Sequence, residues 1–73
     1  MKPVKRKEFI DKLKRIGFQG PFSGSKHEFM TFGNHHLAIP SNKEYSVPQL
    51  KFMLKEVERI IGKRISEKNW QEL

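Results

Sequence analysis

Histidine is the side chain in this sequence best suited to proton transfer, and one of the three histidines has a distinctive setting. His27 directly follows the run Ser23-Gly24-Ser25-Lys26, in which two serines flank a glycine and a lysine comes last. Imidazole titrates near neutral pH and serves as a general base or a general acid. Lys26 can neutralise an anion, and the amides of a turn at Gly24 and Ser25 can bind one. The pattern indicates proton transfer beside a bound anion, with a surface or strand-capping histidine as the structural alternative.

The charge of the chain indicates what kind of anion that is. The 73 residues include 15 Lys and Arg against 8 Asp and Glu, a formal net charge of +7. Residues 1–15 alone hold seven basic and two acidic side chains. A positive field of this kind attracts polyanions, of which nucleic acid is the commonest. The alternative is that the lysines only keep a small protein in solution.

Two other chemistries find little support in the residue pattern. A zinc site would need His27, His35 and His36 together, but adjacent residues of a strand face opposite sides. The sequence contains no cysteine, and no carboxylate lies at a usual ligand spacing. Ser23 and Ser25 lack the Gly-x-Ser-x-Gly elbow of a hydrolase. We therefore predict no metal site, and we interpret His35 and His36 as hairpin residues, with contact to nucleic acid as the alternative.

Length and composition set further limits. A chain of 73 residues supports one domain with a thin core, too small to enclose a bulky cofactor. The absence of cysteine suits a reducing cytoplasm. No run approaches the roughly 18 apolar residues that span a bilayer, and no apolar segment of a signal peptide follows the basic start. We expect a single cytoplasmic domain over residues 1–73, with no cofactor and no membrane contact.

The first half of the chain predicts a helix followed by strands. Apolar residues from Phe9 to Ile16 recur at the spacing of one helix face, and Gly17 can end that helix. Phe18 and Phe22 are expected to anchor a short first strand or the loop around it, and the order is α-β-β-α if that strand does not form. Two further runs have strand composition, and the glycine of Gly33-Asn34 between them suits a type II′ hairpin turn. These strands are predicted over residues 27–32 and 35–39.

The second half predicts one long helix and a short final turn. Residues 41–45 are expected to be a polar connector, and Ser46 with Gln49 forms a capping-box pattern. An apolar stripe then runs to Ile61, and Gly62 follows it. Ser66 is expected to cap one last turn through Trp70. The order α-β-β-β-α places this chain in the α+β class, with two helices packed on one face of a small antiparallel sheet.

Four short motifs, taken in order, resemble the HicA family of small bacterial toxins. The family pattern has a Gly-Phe after the first helix, a Gly-Ser turn that leads into a histidine, and an Ile-Pro or Val-Pro before the second helix. The resemblance covers roughly residues 4–62. The matching segments here are Arg15-Ile16-Gly17-Phe18, Phe22-Ser23-Gly24-Ser25-Lys26-His27, Ala38-Ile39-Pro40 and Leu50-Lys51-Phe52-Met53-Leu54-Lys55.

This resemblance implies a fold, an activity and a partner. The fold is like that of a double-stranded-RNA-binding domain, and the activity is cleavage of mRNA by a type II toxin without a metal. The implied partner is a HicB-like antitoxin protein that holds the toxin inactive. In many members the histidine follows the serine directly, whereas Lys26 lies between Ser25 and His27 here. We carry the catalytic role to His27, the histidine at the start of a strand.

Cleavage of RNA requires little from the protein, because the 2′-hydroxyl of the ribose is itself the nucleophile. His27 would take up or donate the proton, and Gly24, Ser25 and Lys26 would bind the phosphate. The basic side chains of the first helix are expected to hold the rest of the RNA; they are Lys7, Lys14 and Arg15. The alternative function is a non-catalytic RNA-binding module of similar fold. DNA binding is weaker, because no helix-turn-helix turn precedes either helix.

Overall fold

The computed structural model describes residues 1–73 and contains three helices and five strands. The strands form a three-stranded antiparallel sheet in the order β2-β3-β4 and a two-stranded sheet of β1 and β5. This confirms the α+β class and the predicted α-β-β-β-α order, in which the expected last turn is α3, and β1 and β5 are added to it. The elements are β1 (Val4–Lys5), α1 (Arg6–Ile16), β2 (Gln19–Phe22), β3 (Glu28–Phe32), β4 (His35–Ile39), β5 (Glu44–Tyr45), α2 (Val47–Ile61) and α3 (Glu67–Glu72).

Helix α1 begins without a side-chain cap and ends as predicted. Lys5 precedes it and makes no capping hydrogen bond. Instead, the Arg6 N–H donates to the Lys43 carbonyl at 2.9 Å, so the segment before β5 satisfies one of the orphan donors at the helix start. Gly17 ends the helix with φ of 128°, and its N–H donates to the Leu13 carbonyl at 3.1 Å.

The hairpin of β3 and β4 separates a buried face of the sheet from an open one. Met30 pairs with Leu37, and both are buried, as is Ile39. The alternate residues of β4, His36 and Ala38, are exposed. Side chains along a strand point alternately to opposite faces, so one face of the sheet lies on the core and the other faces solvent.

Helices α1 and α2 both contribute to the core on the buried face of the sheet. Ser46 caps α2 by accepting the Gln49 N–H at 3.3 Å, and Gly62 ends it in the left-handed conformation, with φ of 74°. Five residues of the predicted stripe are buried in α2, namely Leu50, Met53, Leu54, Val57 and Ile60, whereas Ile61 at its end is only partly buried. These five residues join Phe9, Ile10 and Leu13 of α1 in a single cluster of 15 buried apolar residues.

The C-terminal segment closes the core beside α1. Ser66 caps α3 by accepting the Asn69 N–H at 3.0 Å, as predicted. Trp70 is 3% exposed, and its ring centroid lies 5.6 Å from that of Phe9. Lys12 of α1 is also buried. Its Nζ donates to the Trp70 carbonyl at 2.8 Å and lies 4.7 Å from the centroid of the indole ring. A lysine is therefore part of the attachment of α3.

One strand departs from the sequence prediction, and two large apolar side chains are exposed. Part of the expected polar connector is strand β5, in which Tyr45 pairs with Val4 of β1. Phe22 and Phe52 are 43% and 70% exposed, although apolar side chains of this size are usually core residues. No helix combines the length and the apolar character needed to cross a bilayer.

Candidate functional site

In the turn between β2 and β3, the backbone of Gly24 approaches that of His27 closely. The turn comprises residues 23–27, all of them exposed. A Cβ atom placed on Gly24 would overlap the carbonyl oxygen of His27, and it would lie 3.4 Å from Cδ1 of Phe29. Glycine is therefore the residue that allows this turn to fold back so closely on the backbone of His27.

A polar hollow of about 530 Å³ opens beside this turn, and we refer to it as the cationic hollow. Three parts of the chain form it: the turn with the start of β3, the first residue of α1, and the segment around the end of β4. Ile39 is its only apolar side chain. The lining residues are Arg6, Ser23, Gly24, Lys26, His27, Glu28, Ile39, Ser41 and Lys43.

The charges around the hollow favour an anion. Arg6, Lys26 and Lys43 supply three cations, and Glu28 supplies the single carboxylate. Glu28 is ion-paired with the Arg6 guanidinium. Lys26 and Lys43 are exposed and belong to none of the ion pairs of the structure. Their two charges are therefore available to a phosphate.

Arg6 fixes the geometry of the hollow. Its side chain is 25% exposed, its Nε donates to the Pro40 carbonyl at 3.1 Å, and its guanidinium also binds Glu28. Its backbone N–H donates to Lys43 as described above. One residue thus joins the start of α1, the start of β3 and the segment after β4. A planar guanidinium with several donors is suited to such a role.

Tyr45 supports the same segment from below. Its ring is buried and meets Phe9 edge to face, with centroids 5.4 Å apart. Its hydroxyl donates to the Pro40 carbonyl at 2.7 Å. Burial raises the pKa of Tyr45 above its ordinary value of 10.0; the nearby Arg6 charge and its hydrogen bond lower the pKa, and Glu28 raises it. The hydroxyl therefore remains a donor to Pro40 at neutral pH.

His27 is exposed and lines the cationic hollow. A general acid or base must come within hydrogen-bond reach of a proton on the substrate. A ring in this position is open to a polyanion whose phosphate enters the hollow. Packing of the ring into the core would have removed it from reach, and the structure does not place it there.

The structure brings together only some of the predicted site residues. Gly24, Lys26 and His27 line the cationic hollow, and Ser25 lies in the same turn without lining it. Lys7 and Arg15 line a different hollow of about 480 Å³, together with Lys12 and two carboxylates of α1. Lys14 is exposed and lines neither of them. The basic face of α1 is thus a separate surface from the hollow that holds His27.

Two cations of the hollow were missed by the sequence analysis. Arg6 and Lys43 are 37 positions apart in the sequence and meet only because β1 pairs with β5. One signal was present for Lys43: Lys26 and Lys43 are the only two basic residues in 16–45 besides histidine. Both of them line the hollow.

The other histidines lie away from this hollow. His35 and His36 are exposed on β4, and His36 stacks on Phe29 with ring centroids 4.9 Å apart. No group of three or more histidine or carboxylate side chains is close enough together to hold a metal ion.

Comparison with known proteins adds no relative to these observations. No protein-family model, curated protein or solved structure matches the chain. The function must therefore be argued from the geometry of the cationic hollow and from the residue pattern around His27.

Proposed function

We propose that this protein is an endoribonuclease that cleaves phosphodiester linkages of mRNA and uses His27 as the proton-transfer group. The observation that carries the proposal is that His27, an exposed residue, lines the same hollow as Arg6, Lys26 and Lys43. Phosphate is the anion that such a hollow suits, because guanidinium and ammonium groups both bind it well. RNA supplies phosphate and a nucleophile in the same molecule.

The reaction proceeds by transfer within the substrate. His27 removes the proton of the 2′-hydroxyl, and the oxygen attacks the adjacent phosphorus. The new bond from phosphorus to the 2′-oxygen forms as the bond to the 5′-oxygen breaks. A proton then passes to the departing 5′-oxygen from the imidazolium or from water. The products are a 2′,3′-cyclic phosphate and a 5′-hydroxyl, with one electron pair moved at each bond.

Charge stabilisation comes from the lining of the hollow. Lys26 is adjacent to His27 in sequence, and Lys43 approaches from the segment after β4. Both ammonium groups neutralise the negative charge that grows on the phosphate oxygens. A single histidine contributes about 10²–10⁴-fold to the rate, so the enzyme is expected to be slow.

Substitution of His27 tests this proposal. His27→Ala is expected to abolish cleavage of an RNA strand while preserving the fold and the affinity for RNA. His35→Ala is the matched control, because His35 is also exposed and lies outside the hollow. Cleavage by His27→Ala at the rate of the unsubstituted protein would refute the catalytic role. A product that ends in an uncyclised phosphate even at the earliest times would refute the mechanism.

We further propose that the enzyme is a cytoplasmic toxin inhibited by a HicB-like antitoxin. The resemblance of the turn and of the Ala38-Ile39-Pro40 segment to HicA toxins supports this, and so does the net charge of +7. An acidic segment that covers the cationic hollow would block RNA. Expression in bacteria is expected to arrest growth, and His27→Ala is expected to relieve the arrest. Co-expression of the protein encoded by the neighbouring reading frame is expected to have the same effect.

A non-catalytic RNA-binding module is the second candidate. The basic hollow along α1, with Lys7 and Arg15, favours it because a surface of this kind binds phosphates without needing His27. Both candidates predict salt-dependent binding to RNA. Cleavage that depends on His27 is expected only if the protein is an endoribonuclease. The comparison of His27→Ala with His35→Ala therefore separates the two candidate functions.

A further inference from the structure

The open face of the sheet carries a row of three rings, one on each strand, which we refer to as the aromatic ladder. Phe22 of β2 pairs with Phe29 of β3, and their ring centroids are 5.7 Å apart. His36 of β4 stacks on Phe29, with centroids 4.9 Å apart and an angle of 25° between the ring planes. These rings point away from the face that holds Met30 and the helices. Phe22 is 43% exposed and His36 is also exposed.

We propose that this ladder stacks the unpaired bases of an RNA strand whose phosphate occupies the cationic hollow. The inference rests on the proposed function and names its substrate as single-stranded RNA. Every nucleobase has a flat π-face, and exposed aromatic rings bind such faces without regard to sequence. Bases held in a duplex have both faces covered by their neighbours and cannot use the ladder.

The ladder and the hollow adjoin each other along the chain. Phe22 immediately precedes Ser23 of the hollow, and the turn that contains His27 leads back to Phe29. Gly24 lies against the ring of Phe29, since a Cβ there would be 3.4 Å from Cδ1. In this proposal, a strand with one phosphate in the hollow places its next bases beside the rings.

Charge on the open face also suits a nucleic acid. Glu28 is the only acidic residue of β2, β3 and β4. It belongs to the opposite face by strand alternation and is ion-paired with Arg6. The open face presents rings, Thr31 and Ala38, with no carboxylate of these strands. Glu56 of α2 lines a hollow with His36 and Ala38, and its charge is paired with that of Arg59. This complementarity favours RNA over a second copy of this basic chain, which would bring like charges together.

The test measures binding of a fluorescent 2′-O-methyl RNA strand, which keeps its bases and phosphates but has no nucleophile. Fluorescence anisotropy would compare this strand with its paired duplex and with an abasic strand of equal charge. The unsubstituted protein is expected to bind the single strand most tightly. Phe22→Leu and His36→Ala are expected to weaken that binding about tenfold each, within the range measured for base stacking on aromatic rings.

Two controls separate stacking from other effects. Phe22→Trp keeps a stacking surface and is expected to retain affinity, whereas Phe22→Leu keeps only apolar area. His35→Ala removes the neighbouring imidazole, which lies on the opposite side of β4, and is expected to change nothing. The abasic strand is expected to bind all these variants equally, because its affinity comes from phosphates alone.

Several results would overturn the ladder proposal. The first is equal affinity of Phe22→Leu and the unsubstituted protein for the single strand. The second is equal affinity of the unsubstituted protein for the single strand and for the duplex. The third is a loss of affinity for the abasic strand in Phe22→Leu as large as its loss for the single strand. Loss of self-association in Phe22→Leu with unchanged RNA binding would instead assign the face to a second copy. None of these readouts depends on cleavage, so the ladder proposal and the nuclease proposal can fail separately.

Discussion

Gly24→Ala is the substitution that examines most directly how the turn positions His27. The structure leaves no room for a Cβ at this position, because it would overlap the carbonyl oxygen of His27. Backbone atoms cannot rotate away as a flexible side chain does. The turn must therefore open and carry His27 with it.

The size of the effect follows from the overlap. Relief of the contact requires a shift of His27 by at least about half an ångström. A displacement of about 1 Å in a catalytic group can cost about 10²-fold in rate, so we expect about a tenfold slower cleavage. The turn is exposed and can relax, so the free energy of unfolding is expected to fall by only about 1 kcal/mol.

Gly33→Ala is the matched control. Gly33 lies in the hairpin turn with φ of 59°, and a Cβ there would meet nothing within 4 Å. The left-handed backbone costs an L-residue about 1–2 kcal/mol, so the two variants should lose similar stability. Only Gly24→Ala should move His27.

Single-turnover cleavage of RNA and the NMR signals of the histidine rings provide the assay. His27→Ala identifies which of the three imidazole signals belongs to His27. We expect this signal to shift in Gly24→Ala and to stay in place in Gly33→Ala. Cleavage by Gly24→Ala at the original rate, with the His27 signal unmoved, would show that the contact with Gly24 does not position the imidazole.

Three further predictions concern the rest of the structure. Burial raises the pKa of Tyr45, so the contribution of this residue to stability is complete below the ordinary pKa of 10.0 and is lost as pH rises through the folded-state pKa. Tyr45→Phe should remove this alkaline loss from the thermal midpoint. An equal alkaline decline of the midpoint in both proteins would contradict the prediction. Trp70→Ala should lower the free energy of unfolding in urea by about 3–5 kcal/mol, and Lys12→Met should lower it by about 1–3 kcal/mol. Lys14→Met, at an exposed position, should change it by nearly zero. Equal effects at Lys12 and Lys14 would show that the contact of Lys12 with Trp70 is unimportant. Lys43→Ala should reduce the salt slope of RNA binding by about one, whereas Lys63→Ala should leave it unchanged, and identical slopes would remove Lys43 from the phosphate site.

Local signals made the main helices and the hairpin predictable. Gly33-Asn34 fixes the hairpin turn within a few residues, and the β3–β4 register follows from it. Helix α2 carries its own cap at Ser46 and its own end at Gly62. Strand β5 has only two residues and no alternation to detect, and it exists because Val4 pairs with Tyr45 across the molecule.

The site was predictable only where it lies within one turn. Gly24, Lys26 and His27 are neighbours in sequence, so the pattern of residue types could reveal them. Arg6 contacts Pro40 and Glu28, which are 34 and 22 positions away, and no local pattern encodes those contacts. Lys7 was predicted as a site residue but does not line this hollow. Successive residues of a helix point about 100° apart, so neighbours in sequence can face different surfaces. Arg6 therefore lines the hollow while Lys7 faces another surface.

The turn of residues 23–27 is the element shared by the two proposed contacts with RNA. A Cβ placed on Gly24 would meet both the backbone of His27 and the ring of Phe29, so the two lie close to this one residue. A shift of the turn must therefore change the distance from the phosphate to His27 and the alignment of the bases with the ladder together. A substitution that shifts the backbone of the turn, such as Gly24→Ala, should affect affinity and rate in parallel. Phe22→Leu should weaken binding and leave the rate at saturating RNA nearly unchanged. This difference follows from the geometry, because the ring of Phe22 packs against that of Phe29 at a tilt and Phe22 does not line the hollow.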